Sequence, residues 1–296
     1  MKIVIPITID DSVFIDSNVP ENDKPAYDPN ATYAKDAQVI SAHKVYCSLI
    51  DNNKGNAVTD ISKWSFMGSS NRWRMHDQKL QVQTTNAGSI QNTYQISTPI
   101  NCISLLNISA ATLRAVMVDN NGQPVWDSKD ISLVSASGIQ EMYSYFFEPI
   151  ARKTDLMLAN IPLYANARLI VTLTEPQAGQ VRCGEIILGT FRDIGATLYG
   201  AKLGITDYSV KTQDGFGNYT IIERPYRRTG DFIVQVQKGY VDQLHNLMAS
   251  RRAKPTLYIG ADDYGASMIY GFFKDFNAVI NYPMTSQCAI SIEGLT

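Results

Sequence analysis

The chain has 296 residues, of which 45% are hydrophobic and 18% are charged, and its formal net charge at pH 7 is -2. This composition is that of a packed globular protein and excludes disorder over most of the chain. The near balance of acidic and basic residues provides no overall field that would gather phosphates, so we expect no nucleic acid as a partner. The sequence has no run of about 18 apolar residues, so we also expect no insertion into a membrane.

The start of the chain and the cysteines predict synthesis in a reducing, cytoplasmic compartment. Pro6, Asp10 and Asp11 interrupt the first apolar residues, so no export signal is visible. The cysteines lie far apart and have no Cys or His at metal-ligand spacing. They are Cys47, Cys102, Cys183 and Cys288. We therefore expect buried thiols, with neither disulfides nor a metal or cofactor site.

Residues 1–30 predict a β-strand followed by an extended arm. Ile3, Ile5, Ile7 and Ile9 occupy alternate positions, which is the period of a strand with one buried face. Between residues 16 and 30, three prolines and several Asn and Asp residues exclude both a helix and a central strand.

Residues 31–76 predict a small, turn-rich β module with many aromatic side chains. Flat Tyr and Trp rings can stack on sugar rings or on a partner protein, and Tyr33, Tyr46 and Trp64 are the candidate contacts. In a module this small the same rings must also supply the core, and we place core packing ahead of ligand binding. Arg72 and Trp73 lie where the aromatic-rich sequence ends, so we expect them to pack between the module and the next domain.

Residues 77–190 predict a central β-sandwich of the jelly-roll type. The segments 103–108, 113–119, 168–174 and 182–188 are rich in β-branched and aliphatic residues. An Asp-Asn-Asn-Gly sequence at 119–122 predicts a turn with positive φ between two of these strands. Short strands at this spacing are typical of sandwiches and jelly rolls.

Residues 191–296 predict a barrel-like β domain with one packed α-helix. Val241, Leu244, Leu247 and Met248 share one helical face, and Pro255 ends the helix. Strands are expected at 232–236, 257–260, 269–276 and 287–292. The sequence Asp-Gly-Phe-Gly-Asn at 214–218 predicts a hairpin turn that exposes Phe216, which is therefore a candidate subunit contact.

The sequence contains none of the common catalytic motifs that mark metalloproteases, serine hydrolases or nucleotide-binding loops. The three histidines, His43, His76 and His245, have no acidic or cysteine partner at a recognisable spacing, and we expect them to be structural or on the surface. We therefore expect a protein that is not an enzyme.

Segments spread over almost the whole chain match one known family in order. The N-terminal segments are SNVPEND (17–23), Tyr27, ATYA (31–34), VY (45–46), Trp64 and GSSNRWRM (68–75). The C-terminal segments are GITDYS (204–209), DGFGN (214–218), YGFFKDF (270–276) and IEGL (292–295). In these segments the chain resembles tail-tip and baseplate structural proteins of bacteriophages and prophages, whose first part resembles a small chitin-binding-type carbohydrate module.

The resemblance implies a non-enzymatic structural component of a virion tail that is made in the host cytoplasm. Such a component forms a homo-oligomer of several copies, has a tail-tube-like domain at 191–296, and docks other tail, baseplate or fibre proteins. The alternative is a virion adhesion protein that recognises a glycan on the host surface. A third class, a glycan-cleaving tail enzyme, needs two carboxylates about 5–10 Å apart across a sugar cleft, which sequence spacing does not place.

Overall fold

The computed structural model describes residues 1–135, 142–143, 151–261, 264–280 and 283–296. Its fold is mainly β and contains a curled half-barrel sheet, so the predicted fold class is confirmed. The strands, in chain order, are β1 (Lys2–Pro6), β2 (Phe14–Ser17), β3 (Thr32–Tyr33), β4 (Gln38–Ser41), β5 (Lys44–Ser48), β6 (Asn53–Lys54), β7 (Trp64–Ser69), β8 (Thr84–Ala87), β9 (Ser89–Ile96), β10 (Cys102–Ser109), β11 (Thr112–Val118), β12 (Pro124–Asp127), β13 (Ile131–Ser132), β14 (Leu156–Ala159), β15 (Ala167–Thr174), β16 (Gln180–Asp193), β17 (Ala196–Thr197), β18 (Lys202–Asp207), β19 (Val210–Gln213), β20 (Tyr219–Ile222), β21 (Tyr226–Gln237), β22 (Thr256–Ile259), β23 (Met268–Val279) and β24 (Thr285–Gly294). The predicted helix is α1 (Val241–Arg251), and short 3-10 helices cover Asn71–His76, Pro176–Ala178, Lys238–Tyr240 and Gly265–Ser267.

An 11-stranded antiparallel sheet, called the large sheet below, runs through most of the molecule. Its strands follow the order β14-β10-β16-β1-β22-β23-β24-β21, with β17 and β18 both paired to β21, and β8 paired to β16. The N-terminal strand β1 therefore lies inside this sheet, between β16 and β22. The large sheet ends in two edges, formed by β14 on one side and by β17 and β18 on the other.

The position of β1 changes the predicted pattern of burial. Ile3 packs in the apolar cluster beside α1, and Val4 packs in a second cluster that also contains Leu257. Both faces of β1 are thus buried, because neighbouring strands carry apolar residues on both sides, whereas the sequence predicted one buried face. The strand also ends at Pro6, and Ile7 and Ile9 beyond it pack against the core of the sandwich.

A second sheet of six strands packs on β10, β14 and β16 and forms the predicted β-sandwich. Its order is β12-β11-β15-β9-β2, and β13 also pairs with β11. Buried and exposed residues alternate along β9, β11 and β15 because successive side chains of a strand point to opposite faces. Tyr94, Leu113 and Leu169 are fully buried between the sheets.

The helix α1 packs on the far half of the large sheet. Leu244 and Met248, one turn apart, are buried in the same apolar cluster as Phe232 of β21. Asp242 lies in the first turn and Arg251 in the last, where each charge complements the helix dipole.

The small aromatic-rich module consists of the three-stranded sheet β4-β5-β7 and the strand pair β3-β6. The 3-10 helix Asn71–His76 follows β7 directly and packs against β8 and β16. This helix therefore carries the chain from the module into the sandwich.

The sandwich and the C-terminal β domain share the large sheet. The strand β16 runs through residue 190, where the sequence placed a domain boundary, and β1 joins the two parts from the other side. Among the described residues, the large sheet ends at β14 and at β17 and β18 and does not close on itself.

Candidate functional site

Two of the three rings proposed as glycan contacts form the core of the module. Trp64 is only 2% exposed, and its ring lies edge-on to Tyr27 and Tyr33 at centroid distances of 5.7 and 5.4 Å. Its indole N–H donates to the Asn56 carbonyl at 3.0 Å, which satisfies the polar end of the ring inside the module. The faces of Trp64 are therefore not open to a sugar, which corrects the expectation for this residue.

Tyr33 is also committed to the module. Its hydroxyl accepts a hydrogen bond from the Asp28 N–H at 2.7 Å, and its ring stacks on Tyr27 at a centroid distance of 6.0 Å. This stacking uses one ring face of Tyr33, and the edge-on contact with Trp64 occupies part of the remainder. Tyr33 thus packs in the module core, which is the role that the sequence analysis placed ahead of ligand binding for these rings.

Tyr46 lies on a different surface of the module, beside an aromatic ring that the sequence analysis did not single out. Phe66, on the neighbouring strand β7, is 53% exposed, and the two ring centroids are 6.0 Å apart. The Lys79 ammonium lies 5.6 Å from the Phe66 ring centroid, within the range of a cation–π contact. Met67, the next residue, is 56% exposed. Phe66 is therefore more accessible to a stacking ligand than Tyr33 or Trp64.

Arg72 and Trp73 lie between the module and the second sheet. The Trp73 ring stacks on His43 of the module at 4.5 Å and lies edge-on to Phe14 of β2 at 5.1 Å. The Arg72 guanidinium donates to the Ser17 carbonyl and lies 6.0 Å from the Phe14 ring. Both side chains thus contact the strand β2, and Trp73 contacts the module as well.

His43 brings together residues that no short spacing in the sequence connects. Its Nδ1 lies 2.9 Å from a carboxylate oxygen of Glu21, and its Nε2 lies 2.9 Å from a carboxylate oxygen of Asp11. The Ser70 hydroxyl donates to the same Glu21 carboxylate. We call the set His43, Asp11, Glu21, Ser70 and Trp73 the His43 junction. Sequence analysis missed it because the two carboxylates lie on separate segments that precede the module.

Several titratable groups are buried beneath the 3-10 helix that follows the module. Burial lowers the pKa of His76 to about 3, and its Nε2 lies 3.3 Å from the Tyr94 hydroxyl. Burial, together with the nearby Asp77 carboxylate, raises the pKa of Glu185 well above its ordinary range. The Gln78 N–H donates to Glu185 at 3.0 Å. Burial also raises the pKa of Asp77. These groups are packed into the structure, where an uncharged form is favoured.

The hairpin β19-β20 projects from the body with its side chains in solvent. All four residues of β20 are exposed, and Phe216 at the tip is 94% exposed, where the sequence placed it. The Asp214 carboxylate accepts hydrogen bonds from the N–H groups of Phe216 and Asn218, and Gly217 adopts φ +90°, which favours glycine. Local turn chemistry therefore builds the hairpin, and the part of the chain that the structure describes leaves Phe216 uncovered.

An open groove of about 890 Å³ lies beside the base of this hairpin, between the two edges of the large sheet. Its apolar lining includes Met157 of β14, Leu203 and Ile205 of β18, and Tyr226. Asp155 and Arg228 form an ion pair with a distance of 2.7 Å in the same region.

Within the described ranges, no group of three or more His, Cys, Asp or Glu side chains is arranged to hold a metal ion. No helix in the same part of the chain is both long and apolar enough to cross a membrane. Comparison of the chain with protein-family models, with curated proteins and with solved structures finds no match.

Proposed function

We propose that this protein is a non-enzymatic structural component of a bacteriophage tail tip or baseplate, and that it assembles in several copies. The family resemblance of the segments quoted above supports this role. The observation that carries the assembly is the exposed apolar surface of residues 203–226, which includes the hairpin β19-β20.

The hairpin side chains and the groove side chains of residues 203–226 together expose an amount of apolar surface comparable to what one partner contributes to a protein–protein interface. Eight large apolar or aromatic side chains between residues 203 and 226 are each between 41% and 94% exposed. Since such side chains carry about 200 Å² each, together they expose on the order of 900 Å². The largest apolar patch of a typical monomer is about 300–600 Å², and a standard interface covers about 800 Å² per partner. A surface of this size is therefore expected to be covered in the working assembly.

The hairpin β19-β20 is a separate two-stranded sheet, with no third strand paired to it among the described residues. Two-stranded ribbons are marginal in water, and this one presents apolar side chains on both faces. Ile222 lies opposite Val210 on one face, and Ile221 and Tyr219 share the other with Lys211. A partner that packs against both faces would order the hairpin, with Phe216 as the anchor at its tip.

We propose that the partner is a second copy of this chain. Each copy carries the projecting hairpin and also the groove between β14 and β18, whose lining combines apolar side chains such as Met157 with charged ones such as Arg152 and Asp155. A projecting element and a receiving groove on one chain allow head-to-tail association, which closes into rings when the rotation between copies permits. The same association would cover the edge strands β14, β17 and β18 of the large sheet, and edge strands favour pairing with another chain.

The module is proposed to dock fibres or other tail proteins, with Tyr46, Phe66 and Met67 as the available surface. The alternative role as a glycan-binding adhesin loses its two best candidates, because Trp64 and Tyr33 pack in the module core. A glycan-specific role would therefore have to rest on Tyr46 and Phe66.

Cryo-electron microscopy of the virion that contains this chain tests the proposal. We expect several copies around the tail axis, with Phe216 buried in the neighbouring copy. A single copy per virion, or several copies with Phe216 facing solvent in all of them, would contradict the proposal. Release of reducing sugar from host polysaccharide by the purified protein would contradict the non-enzymatic part.

A variant pair separates assembly from folding. Phe216→Ser combined with Tyr219→Ser should leave the melting temperature unchanged, because both side chains are largely exposed. The double variant should fail to enter tails. The matched control is Thr212→Ser on the same hairpin, which should enter tails at the wild-type level. Wild-type incorporation of the double variant would overturn the assignment of the interface.

A further inference from the structure

His43 connects β4 and β5 in a two-residue turn in which Ala42 has φ +47° and His43 has φ +65°. Such turns favour Asn-Gly because both central residues adopt positive φ, which is costly for other residues. The chain holds this strained turn in a conformation that places the His43 ring between the module and two segments that precede it.

Both ring nitrogens of His43 face carboxylate oxygens. The Nδ1 atom lies 2.9 and 3.0 Å from the two oxygens of Glu21, and Nε2 lies 2.9 Å from Asp11. A carboxylate only accepts hydrogen bonds, and a neutral imidazole has one donor nitrogen and one acceptor nitrogen. Only the protonated ring can donate to both carboxylates at once. The neutral ring would direct a lone pair at one of them.

The two carboxylates come from outside the module. Asp11 lies on the turn before β2, and Glu21 lies on the arm that leads from the sandwich to the module. The arm is tied to the sandwich at Asn18, whose side chain accepts from the Gln91 N–H, and to the module through a bridge between Ala26 and Ile40. The contacts of His43 therefore connect the module to the turn and to the arm.

The other polar and charged groups around the His43 ring do not prevent it from pairing with Asp11 and Glu21. The Ser70 hydroxyl donates to Glu21, and the neighbouring Asp23 accepts from the Asn71 N–H at 3.4 Å. On the 3-10 helix side, the Arg72 guanidinium is directed at the Ser17 carbonyl. His76 lies beyond Trp73 at a centroid distance of 6.0 Å, and burial lowers its pKa to about 3, so it is uncharged near neutral pH. Lys44 follows His43 in the chain and is exposed.

We infer that His43 is a proton-dependent switch that holds the module against the sandwich. The protonated ring bridges Asp11 and Glu21 by two charge-assisted hydrogen bonds while it stacks on Trp73. Loss of the proton removes one donor and the positive charge, so the bridge opens. The module is then held by Trp73, Arg72 and the chain connections, and it moves more freely relative to the sandwich.

The direction of the pH effect follows from which form makes the contacts. The protonated ring makes both bonds, so the closed junction is favoured at lower pH and weakens as pH rises. Imidazole side chains ordinarily change charge between about pH 5 and 8, which sets the range to be examined.

Nuclear magnetic resonance on the full chain tests the switch with two readouts. In protein labelled with 5-fluorotryptophan, the Trp73 signal should shift between pH 5 and 8 because its ring stacks on His43, while the Trp64 signal stays constant. In ¹⁵N relaxation, order parameters of module amides should fall from about 0.85 towards 0.6 over the same pH range, while those of the sandwich stay high.

Variants identify the residue responsible. His43→Gln should abolish both changes, whereas His245→Gln, a substitution at the exposed histidine of α1, should leave both unchanged. If His43→Gln does not fold, Asp11→Asn at the exposed carboxylate carries the same test and should reduce the change in order parameters. A flat Trp73 signal in the wild type, unchanged titration in His43→Gln, or constant module order parameters would overturn the inference.

Discussion

Removal of the Trp73 ring should destabilise the protein by about 3–5 kcal/mol, the range for truncation of a packed aromatic. The side chain is partly buried against the sandwich core, where it meets Phe14, and it also stacks on His43. Burial of about 125 Å² of the Trp73 ring contributes roughly 3 kcal/mol at 25 cal/mol per Å². The edge-on pair with Phe14 adds about 1 kcal/mol. The sum falls within the stated range.

Urea denaturation of Trp73→Ala and of the wild type, monitored by far-ultraviolet circular dichroism, measures the loss in free energy of unfolding. Trp73→Phe serves as the matched control, because a smaller ring keeps the edge-on contact with Phe14 and should lose about half as much. A loss below about 1 kcal/mol in Trp73→Ala would refute the reasoning, since surface substitutions are usually within about 0.5 kcal/mol. Equal losses in the two variants would show that ring packing at this position is not what stabilises the junction.

Three further predictions concern the core, the large sheet and the module surface. The folded state raises the pKa of Glu185 above its ordinary 4.5, so at neutral pH it binds a proton that the unfolded chain releases, and this uptake costs free energy. Glu185→Gln removes that cost, because Gln is neutral in both states, and should raise the free energy of unfolding at neutral pH. In the wild type, the contribution of the protonated Glu185 side chain to the free energy of unfolding is complete below about pH 4.5. It falls by up to about 1.4 kcal/mol per pH unit as pH rises towards the folded pKa. Chemical denaturation from pH 4 to 8 measures this dependence. Gly189→Ala should cost about 3 kcal/mol or more in thermal unfolding, since an added Cβ would lie 2.2 Å from the Ile5 carbonyl oxygen. Phe66→Ala should abolish any affinity of the module for host surface polysaccharide in isothermal titration while leaving the melting temperature nearly unchanged.

Each of these has a result that would count against it. An equally steep pH dependence in Glu185→Gln would assign the effect to another group, with Asp77 as the next candidate. Gly215→Ala is the control for Gly189→Ala, because an added Cβ there meets nothing within 4 Å, and similar losses in both would remove the steric explanation. Glycan binding that survives Phe66→Ala would move the binding surface elsewhere on the molecule.

The sequence by itself determined the features that depend on near neighbours in the chain. The β-branched and aliphatic residues of 113–119 and 168–174 predicted the strands β11 and β15, and the helical spacing around Leu244 predicted α1. The Asp-Gly-Phe-Gly-Asn sequence predicted the hairpin turn that exposes Phe216. These predictions hold because side-chain period and turn chemistry are set within a few residues.

Only the tertiary structure decided which segments meet. Alternation shows that a strand has a buried face but not which strands lie beside it. Short-range patterns in the sequence therefore did not predict that β1 lies between β16 and β22, or that one sheet continues across residue 190. Aromatic composition could not separate Trp64, which is buried, from Phe66, which is exposed. The two residues lie two positions apart on β7 and share one face, and only the folded module shows that Tyr27 and Tyr33 pack on Trp64. The carboxylates that meet His43 come from two earlier segments that only the folded chain brings to one ring, so the junction was invisible to residue spacing.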